Sequence, residues 1–276
     1  MPPSPDRAAG PRNPYPRGFV FGRGAVDPRA RSLAGLKLRR ALGALAPVTG
    51  NVLELGCGGG QYLRALRRAR PDLALFGIDL DPAAAAAARA PGVRVDVGDV
   101  ARLPYADGAF SAVVGFDILE HVTDPDAVLR EVRRVLVPQG VLHLYVPCEG
   151  NPGTVYVRRG HRVKAEQGGH VQRFTTEDLL ARLRAGGFEI LRVRHADYAL
   201  AQALDHAFFS RLARSPHPER FWAAQSLAPG HGGFGWWLRL ARHATSAATW
   251  AESIVRRGRR GAMGVHVTTT KGGAPS

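Results

Sequence analysis

The run Glu54-Leu55-Gly56-Cys57-Gly58-Gly59-Gly60 puts four glycines and a carboxylate within seven residues. Glycine at this density admits positive φ and lets a ligand come close to the backbone. Two further carboxylates follow at intervals that suit a nucleoside. Asp79 closes the next apolar run, 19 residues after Gly60, where a carboxylate can accept from both hydroxyls of a ribose. Asp99 follows the run after that and can accept from an exocyclic amine. A P-loop is excluded, because Gln61-Tyr62 stand where its Lys and Ser/Thr are needed. A dinucleotide is disfavoured too. Gly56-x-Gly58-x-Gly60 alternates more tightly than Gly-x-Gly-x-x-Gly, and Glu54 would repel a pyrophosphate. The constellation suits a nucleoside that carries positive charge.

These residues need elements to hold them. Leu33, Leu36, Leu42 and Leu45 recur at helical spacing, and Pro47 closes that helix. Val52–Leu55 reads as a strand entering the glycine loop, and Tyr62, Leu63, Leu66 and Ala69 mark one face of the helix that leaves it. Leu73–Leu80 is the next strand, Asp81-Pro82 opens an alanine-rich helix, and Val93–Val97 and Ala112–Phe116 are strands three and four. Thr123 or Asp124 can cap a helix begun by Pro125, whose buried stripe is Val128, Leu129, Val132, Val135 and Leu136. Pro138-Gln139-Gly140 breaks it, and Val141–Val146 is strand five. Strands alternating with helices predict a doubly wound, mostly parallel sheet buried on both faces.

With 45% apolar residues the chain can bury a core, and no apolar run approaches the ~18–20 residues of a membrane span. Two cysteines, Cys57 and Cys148, make neither a disulfide scaffold nor a four-ligand zinc site, so a reducing, cytoplasmic setting is expected. The net charge of +15 is unevenly spread: +7 over 1–50, −3 over 51–149 and +11 over 150–276. Arginine outnumbers lysine 35 to 3, which reflects coding bias, an anionic partner, or both.

The ordered motifs are Val52-Leu53-Glu54-Leu55-Gly56-Cys57-Gly58-Gly59-Gly60, Gly77-Ile78-Asp79-Leu80-Asp81-Pro82, Gly98-Asp99-Val100, Leu103-Pro104-Tyr105 and Asp117-Ile118-Leu119-Glu120-His121-Val122. In that combination the stretch from Val52 to Val146 resembles the class I S-adenosylmethionine-dependent methyltransferases, in particular the type 11 group. The resemblance implies S-adenosylmethionine as cofactor and a Rossmann-like α/β fold with a reversed C-terminal edge hairpin. It implies that Gly56 and Gly58 hold the methionine part and that Asp79 binds the ribose. Leu80 would flank the adenine, and Asp99 with the Val100 backbone would read its edge. Glu54 matches the acidic residue usual in the family's first motif, and Cys57 and Gly60 complete the cofactor loop.

A sulfonium methyl is already electrophilic, so such a protein must align an acceptor lone pair with the carbon–sulfur bond and exclude water. A hydroxyl acceptor must also lose its proton, a task suited to histidine. The candidate catalytic residues are His170, in a long loop, and His121, after strand four. His170 reads equally as a loop anchor, and His121 more readily as a structural or cofactor-side residue. His143, inside strand five, reads as a core residue, Cys57 as a small loop residue and Cys148 as a packing residue. No cluster has metal-ligand spacing along the sequence, so no metal is expected.

Four regions follow. Residues 1–30, with seven prolines, form a flexible arm; 31–198 form the methyltransferase domain with a cover loop at 148–174; 199–260 form a helical insertion; and 261–276 hold the last strand and a tail. Across 236–255, Trp236, Leu240, Ala244, Ala247, Ala251 and Ile254 share a stripe, with Thr245 and Thr249 facing away and a basic cluster over Arg256–Arg260. Such a helix suits peripheral contact with an anionic membrane, or packing on its own domain or across a dimer. The expected substrate is a small-molecule or lipid-linked acceptor. An RNA methyltransferase and a non-catalytic cofactor-binding regulatory module are the alternatives, and nucleic acid is disfavoured because Asp117-Ile118-Leu119 replaces the Asn/Asp-Pro-Pro-Tyr/Phe of base-amine methylation. The sequence does not fix the oligomeric state.

Overall fold

The computed structural model of the chain describes residues 20–156, 166, 168–216, 236–256, 258 and 260–273, the side chains at 236–243 excepted. The elements are α1 (Leu33–Ala44), β1 (Asn51–Leu55), α2 (Gln61–Ala69), β2 (Ala74–Asp79), α3 (Pro82–Ala88), β3 (Val93–Val97), β4 (Phe110–Phe116), a 3-10 turn (Leu119–His121) and α4 (Pro125–Val135). They continue with β5 (Leu136–Pro147), α5 (Thr176–Ala185), β6 (Phe188–Ala196), α6 (Ala199–Arg214), α7 (Trp236–Val255) and β7 (Gly264–Lys271). The seven strands form one sheet in the order β3-β2-β1-β4-β5-β7-β6. β7 runs antiparallel to both of its neighbours, β5 and β6, while the pairs from β3 through β5 are parallel. The predicted α/β, Rossmann-like sheet is present, and its reversed strand lies one place in from the edge.

Each face of the sheet carries its own core. Leu38 and Ala41 of α1 with Leu45 just past its end, Tyr62, Leu63 and Leu66 of α2, and Ala85 and Ala88 of α3 pack on one face. Val128, Leu129 and Val132 of α4 and Leu179 and Leu183 of α5 pack on the other. Helices α1, α3, α4 and α5 begin where the sequence offers side-chain acceptors to orphan N–H groups. Ser32 accepts from Gly35 at 3.1 Å, and Asp81 accepts from Ala83 at 2.8 Å ahead of Pro82. Of the two candidate caps for α4, Asp124 is the one used. Thr175 and Asp178 form a reciprocal capping box on α5.

Three expectations change in detail. Pro138–Gly140 does not delay strand five: β5 starts at Leu136, and Gln139 takes φ +59 where the pairing with β4 shifts register. The part of the N-terminal arm within the described residues packs on the domain, with Val20 and Val26 buried. The described part of α7 turns a different face inward from the predicted stripe. Thr249 and Ser253 are buried, whereas Ala244 is exposed. Its neighbours are α1, α6 and β6. The Trp236 and Leu240 side chains, and Arg257 and Arg259, lie outside the described residues.

Candidate active site

The C-terminal ends of the parallel strands gather the predicted residues at one edge of the sheet, where ligands bind in this class of fold. Glu54, one residue before the end of β1, is buried, and its Oε2 has no hydrogen-bond partner among the described residues. Burial and the nearby Asp79 push its carboxyl well above the ordinary carboxylate range. Gly56, Gly58 and Gly60 then turn the chain with φ of +59, +52 and +77, so the loop follows a path that a residue with a Cβ resists. Gly60 N–H donates to Cys57 O at 2.9 Å, and Cys57 N–H donates to Ile78 O at 3.0 Å, tying the loop to β2. The Cys57 thiol is buried and its pKa is raised by that burial, which suits a packing residue and not a nucleophile.

Asp79 is aimed by the backbone. Its Oδ2 accepts from Gly58 N–H at 2.8 Å and its Oδ1 from Asp81 N–H at 3.0 Å, which fixes the carboxylate beside the glycine loop. Partial burial raises its pKa. Leu80 follows with 55% of its surface exposed, and Val97, at the end of β3, is 46% exposed. Two large apolar side chains thus lie open at this edge. Asp99 Oδ1 accepts from Ala101 N–H at 2.8 Å, and Val100 is buried beneath the same turn.

The histidines come from distant parts of the chain and meet. Their rings lie edge-to-face with centroids 4.8 Å apart. His121 Nδ1 is 3.1 Å from Gly169 O. The Val171 and Gln172 N–H groups donate to Glu120 O at 2.9 and 3.0 Å, so the end of the cover loop is clamped onto the 3-10 turn. His170 is buried, with Nδ1 2.9 Å from Oε1 of the buried Glu149. Glu120, wholly buried, completes the group with His121 Nε2 3.9 Å from its Oε1. Burial, with Asp117 and Glu149 nearby, raises the Glu120 carboxyl well above its usual range. His143 lies elsewhere, in the core beside His266 and Thr268.

Several residues at this edge escaped the sequence reading. Gly59 N–H donates to Phe21 O at 2.7 Å, and the Arg64 guanidinium joins Gly59 O at 2.6 Å to Arg23 O at 2.9 Å. The segment around Phe21–Arg23 is therefore strapped across the glycine loop. Ile118 leans over Gly56, where a Cβ would meet its Cδ1 at 2.5 Å. Asp117 takes φ +52 at the end of β4 and pairs with Lys37 of α1 at 2.5 Å. Glu149 had a legible signal, a carboxylate just past the end of β5 at the same sheet edge. The strap had none.

Comparison with known proteins accords with this geometry. Residues 53–144 match the family model described as a methyltransferase domain. A probable S-adenosylmethionine-dependent methyltransferase of Mycolicibacterium smegmatis is 29% identical over 185 residues, covering 63% of this chain and 69% of that protein. Residues 53–144 carry a methyltransferase domain. The ubiquinone biosynthesis O-methyltransferase of Xanthomonas axonopodis pv. citri is 36% identical over 120 residues, 41% of this chain and 49% of that one. The [4+2]-cyclase SpnF shares the fold of this domain with a TM-score of 0.57 at 24% identity, covering 89% of this chain and 84% of its own. The chain spans 30–49% of the length of several of the curated relatives it matches.

The residues of the methyltransferase domain fit S-adenosylmethionine. The buried carboxylate of Glu54, its Oε2 unpartnered among the described residues, stands behind a turn of positive-φ glycines, which suits a cationic, backbone-hugging ligand. Asp79 is oriented beside that turn, and the open apolar surfaces of Leu80 and Val97 suit a purine face.

Proposed function

We propose that the chain transfers the methyl group of S-adenosylmethionine to the hydroxyl of a small-molecule acceptor, free or lipid-linked. The observation that carries this reading is the glycine turn with Asp79 fixed to it by Gly58 N–H at 2.8 Å. When bound, the cofactor supplies a methyl group made electrophilic by its sulfonium. Asp79 holds the ribose hydroxyls, Leu80 covers one adenine face, and Asp99 with the Val100 backbone reads the adenine edge. Glu54 and the turn through Gly56, Cys57, Gly58 and Gly60 hold the methionine end. The Phe21–Arg23 strap and Ile118 exclude water from the loop, which strengthens each electrostatic contact inside.

The acceptor lies against His121 and His170, with Glu149 behind His170, and this group of side chains prepares its hydroxyl oxygen for attack. The name of the Xanthomonas relative, an O-methyltransferase, supports oxygen as the acceptor atom. The use of arginine argues against the RNA reading, since several basic side chains are already bound to the domain's own carbonyls: Arg70 to Leu45 and Val48 O at 2.6 and 2.7 Å, and Arg133 to Gly187 and Gly272 O, both at 3.1 Å. Helix α7 is read as a packed part of the domain, supported by its buried Thr249 and Ser253. The test is incubation of the full chain with methyl-labelled S-adenosylmethionine and fractionated small-molecule and lipid extracts. Label and the mass of one CH₂ should appear together on a small or lipid-linked hydroxyl compound. Label on RNA, or on no compound at all, would refute the proposal.

A further inference from the structure

We infer that Glu120, His121 and His170 form a binding site for a divalent transition-metal ion whose open positions take an oxygen of the methyl acceptor. The acceptor's part in this rests on the proposed function; the ion site itself rests on the geometry of three side chains. One candidate ligand atom from each lies within 4.8 Å of the others. Ligands around one ion, each at about 2.0–2.2 Å, sit about 3–4 Å apart, so side-chain shifts of about 1 Å close the set.

Glu120 supplies an independent indication. It is wholly buried, and neither carboxylate oxygen has a hydrogen-bond partner among the described residues. A carboxylate in that position is costly unless it is paired or holds a metal. Lys37, the cation that acts on it, is engaged by Asp117 at 2.5 Å. Glu149, a second buried carboxylate, adds negative charge to the same group. The unpartnered Glu120 carboxylate is therefore enclosed with two imidazoles, a setting that suits a cation.

The imidazoles are held from behind, as metal-bound histidines are. Gly169 O can only accept, so His121 bears its proton on Nδ1, and the lone pair of the neutral ring is on Nε2, the nitrogen toward Glu120. His170 has its Nδ1 beside Glu149 Oε1 at 2.9 Å, a carboxylate–imidazole contact that favours the same tautomer. Two imidazoles and one carboxylate suit Mn²⁺, Fe²⁺ or Zn²⁺; Mg²⁺ and Ca²⁺ prefer all-oxygen sets. Three protein ligands leave positions for the acceptor oxygen, which the ion polarises as a Lewis acid while the hydroxyl proton passes to solvent water. On this account His121 and His170 serve as ligands and do not relay the hydroxyl proton. The spacing of these residues along the sequence gives no hint of the site, because the cover loop brings His170 in from far away.

The full chain, stripped with a chelator and dialysed, is titrated with MnCl₂ and separately with ZnCl₂ by calorimetry, with Mn²⁺ paramagnetic resonance as a second readout. One ion per chain is expected, with affinity reduced about tenfold or more in Glu120→Gln and by a smaller factor in Glu149→Gln, which acts only through His170. His170→Asn serves if Glu120→Gln does not fold by circular dichroism. S-Adenosylmethionine affinity, measured on the same samples, should be unchanged in Glu120→Gln. A chain that binds S-adenosylmethionine but neither ion, or whose ion uptake is unaffected in both Glu120→Gln and His170→Asn, overturns the metal site alone. A chain that takes up the ion through these residues but does not bind S-adenosylmethionine upholds the site and refutes the cofactor reading.

Discussion

Gly56 shows how a single residue ties the fold to the chemistry. Its φ is +59, and a Cβ at that position would approach Ile118 Cδ1 to 2.5 Å. Gly56→Ala should therefore cost about 1–3 kcal/mol through backbone strain and a displaced Ile118, read as a lower urea midpoint at unchanged m-value. An unchanged midpoint would mean that the turn is not held in this conformation. At this scale the sequence is legible where residues adjoin a strand end. Glu54, Gly56 and Asp79 could be placed because they lie at or just past the ends of strands whose apolar pattern is plain. Glu149, His170 and Glu120 could not be grouped, since their meeting depends on where a long loop lands. Arginine carries a related lesson: Arg64 and Arg70 reach carbonyls in the N-terminal segment and around the end of α1, a use of basic residues that composition cannot tell from an anion-binding surface.

Among the elements, α7 departs furthest from its sequence pattern. A helical wheel selects the alanines and Ile254 as the inward face, yet the residues that enter the fold are small and polar. Ser253 Oγ accepts from the buried Asp197 N–H at 3.1 Å, and Glu252 Oε2 accepts from Leu200 N–H at 3.0 Å at the start of α6. Asp197 turns from β6 into α6 with φ +57, and α7 supplies the partner that this turn lacks. Hydrophobic periodicity misses such a face because hydrogen bonding, and not apolar area, defines it. Ser253→Ala strands a buried N–H and should destabilise the domain by about 1–3 kcal/mol in chemical denaturation. Ala244→Ser, on the exposed side, should stay within about 0.5 kcal/mol of the parent. Equal stability of the two variants would show that α7 is only loosely attached. The parallel strands and α1–α5, by contrast, follow apolar periodicity and capping residues closely, because each buries one continuous face.

For the whole molecule, the sheet's reversed strand creates a pH dependence. Pairing β7 with β5 sets His266 Nδ1 3.4 Å from His143 Nε2, with Thr268 Oγ1 2.9 Å from His143 Nδ1. Burial first, then the positive charge of Arg40, pushes the His143 pKa down from 6.5 to about 3, and His266 is lowered as well. The unfolded chain takes up these protons and the folded one does not. Stability from the neutral pair is thus present above about pH 6.5 and is lost progressively as pH falls toward 3, by up to about 1.4 kcal/mol per unit for each histidine. The raised Glu54 and Glu120 carboxyls act in the opposite sense over the same range, so the histidine contribution is read as a difference: in urea denaturation between about pH 7 and pH 5 the parent should lose stability relative to His143→Leu as the pH falls. A parent-minus-variant difference independent of pH in that window would mean that the pair is not buried neutral.

The central claim is that the glycine turn and Asp79 bind S-adenosylmethionine. Isothermal titration of the full chain and of Asp79→Ala tests it most directly. Saturable binding at one cofactor per chain is predicted, weakened about tenfold or more by the substitution, which removes a charged hydrogen-bond acceptor from the ribose. Absence of binding by the parent chain, or equal affinity in the variant, would contradict it.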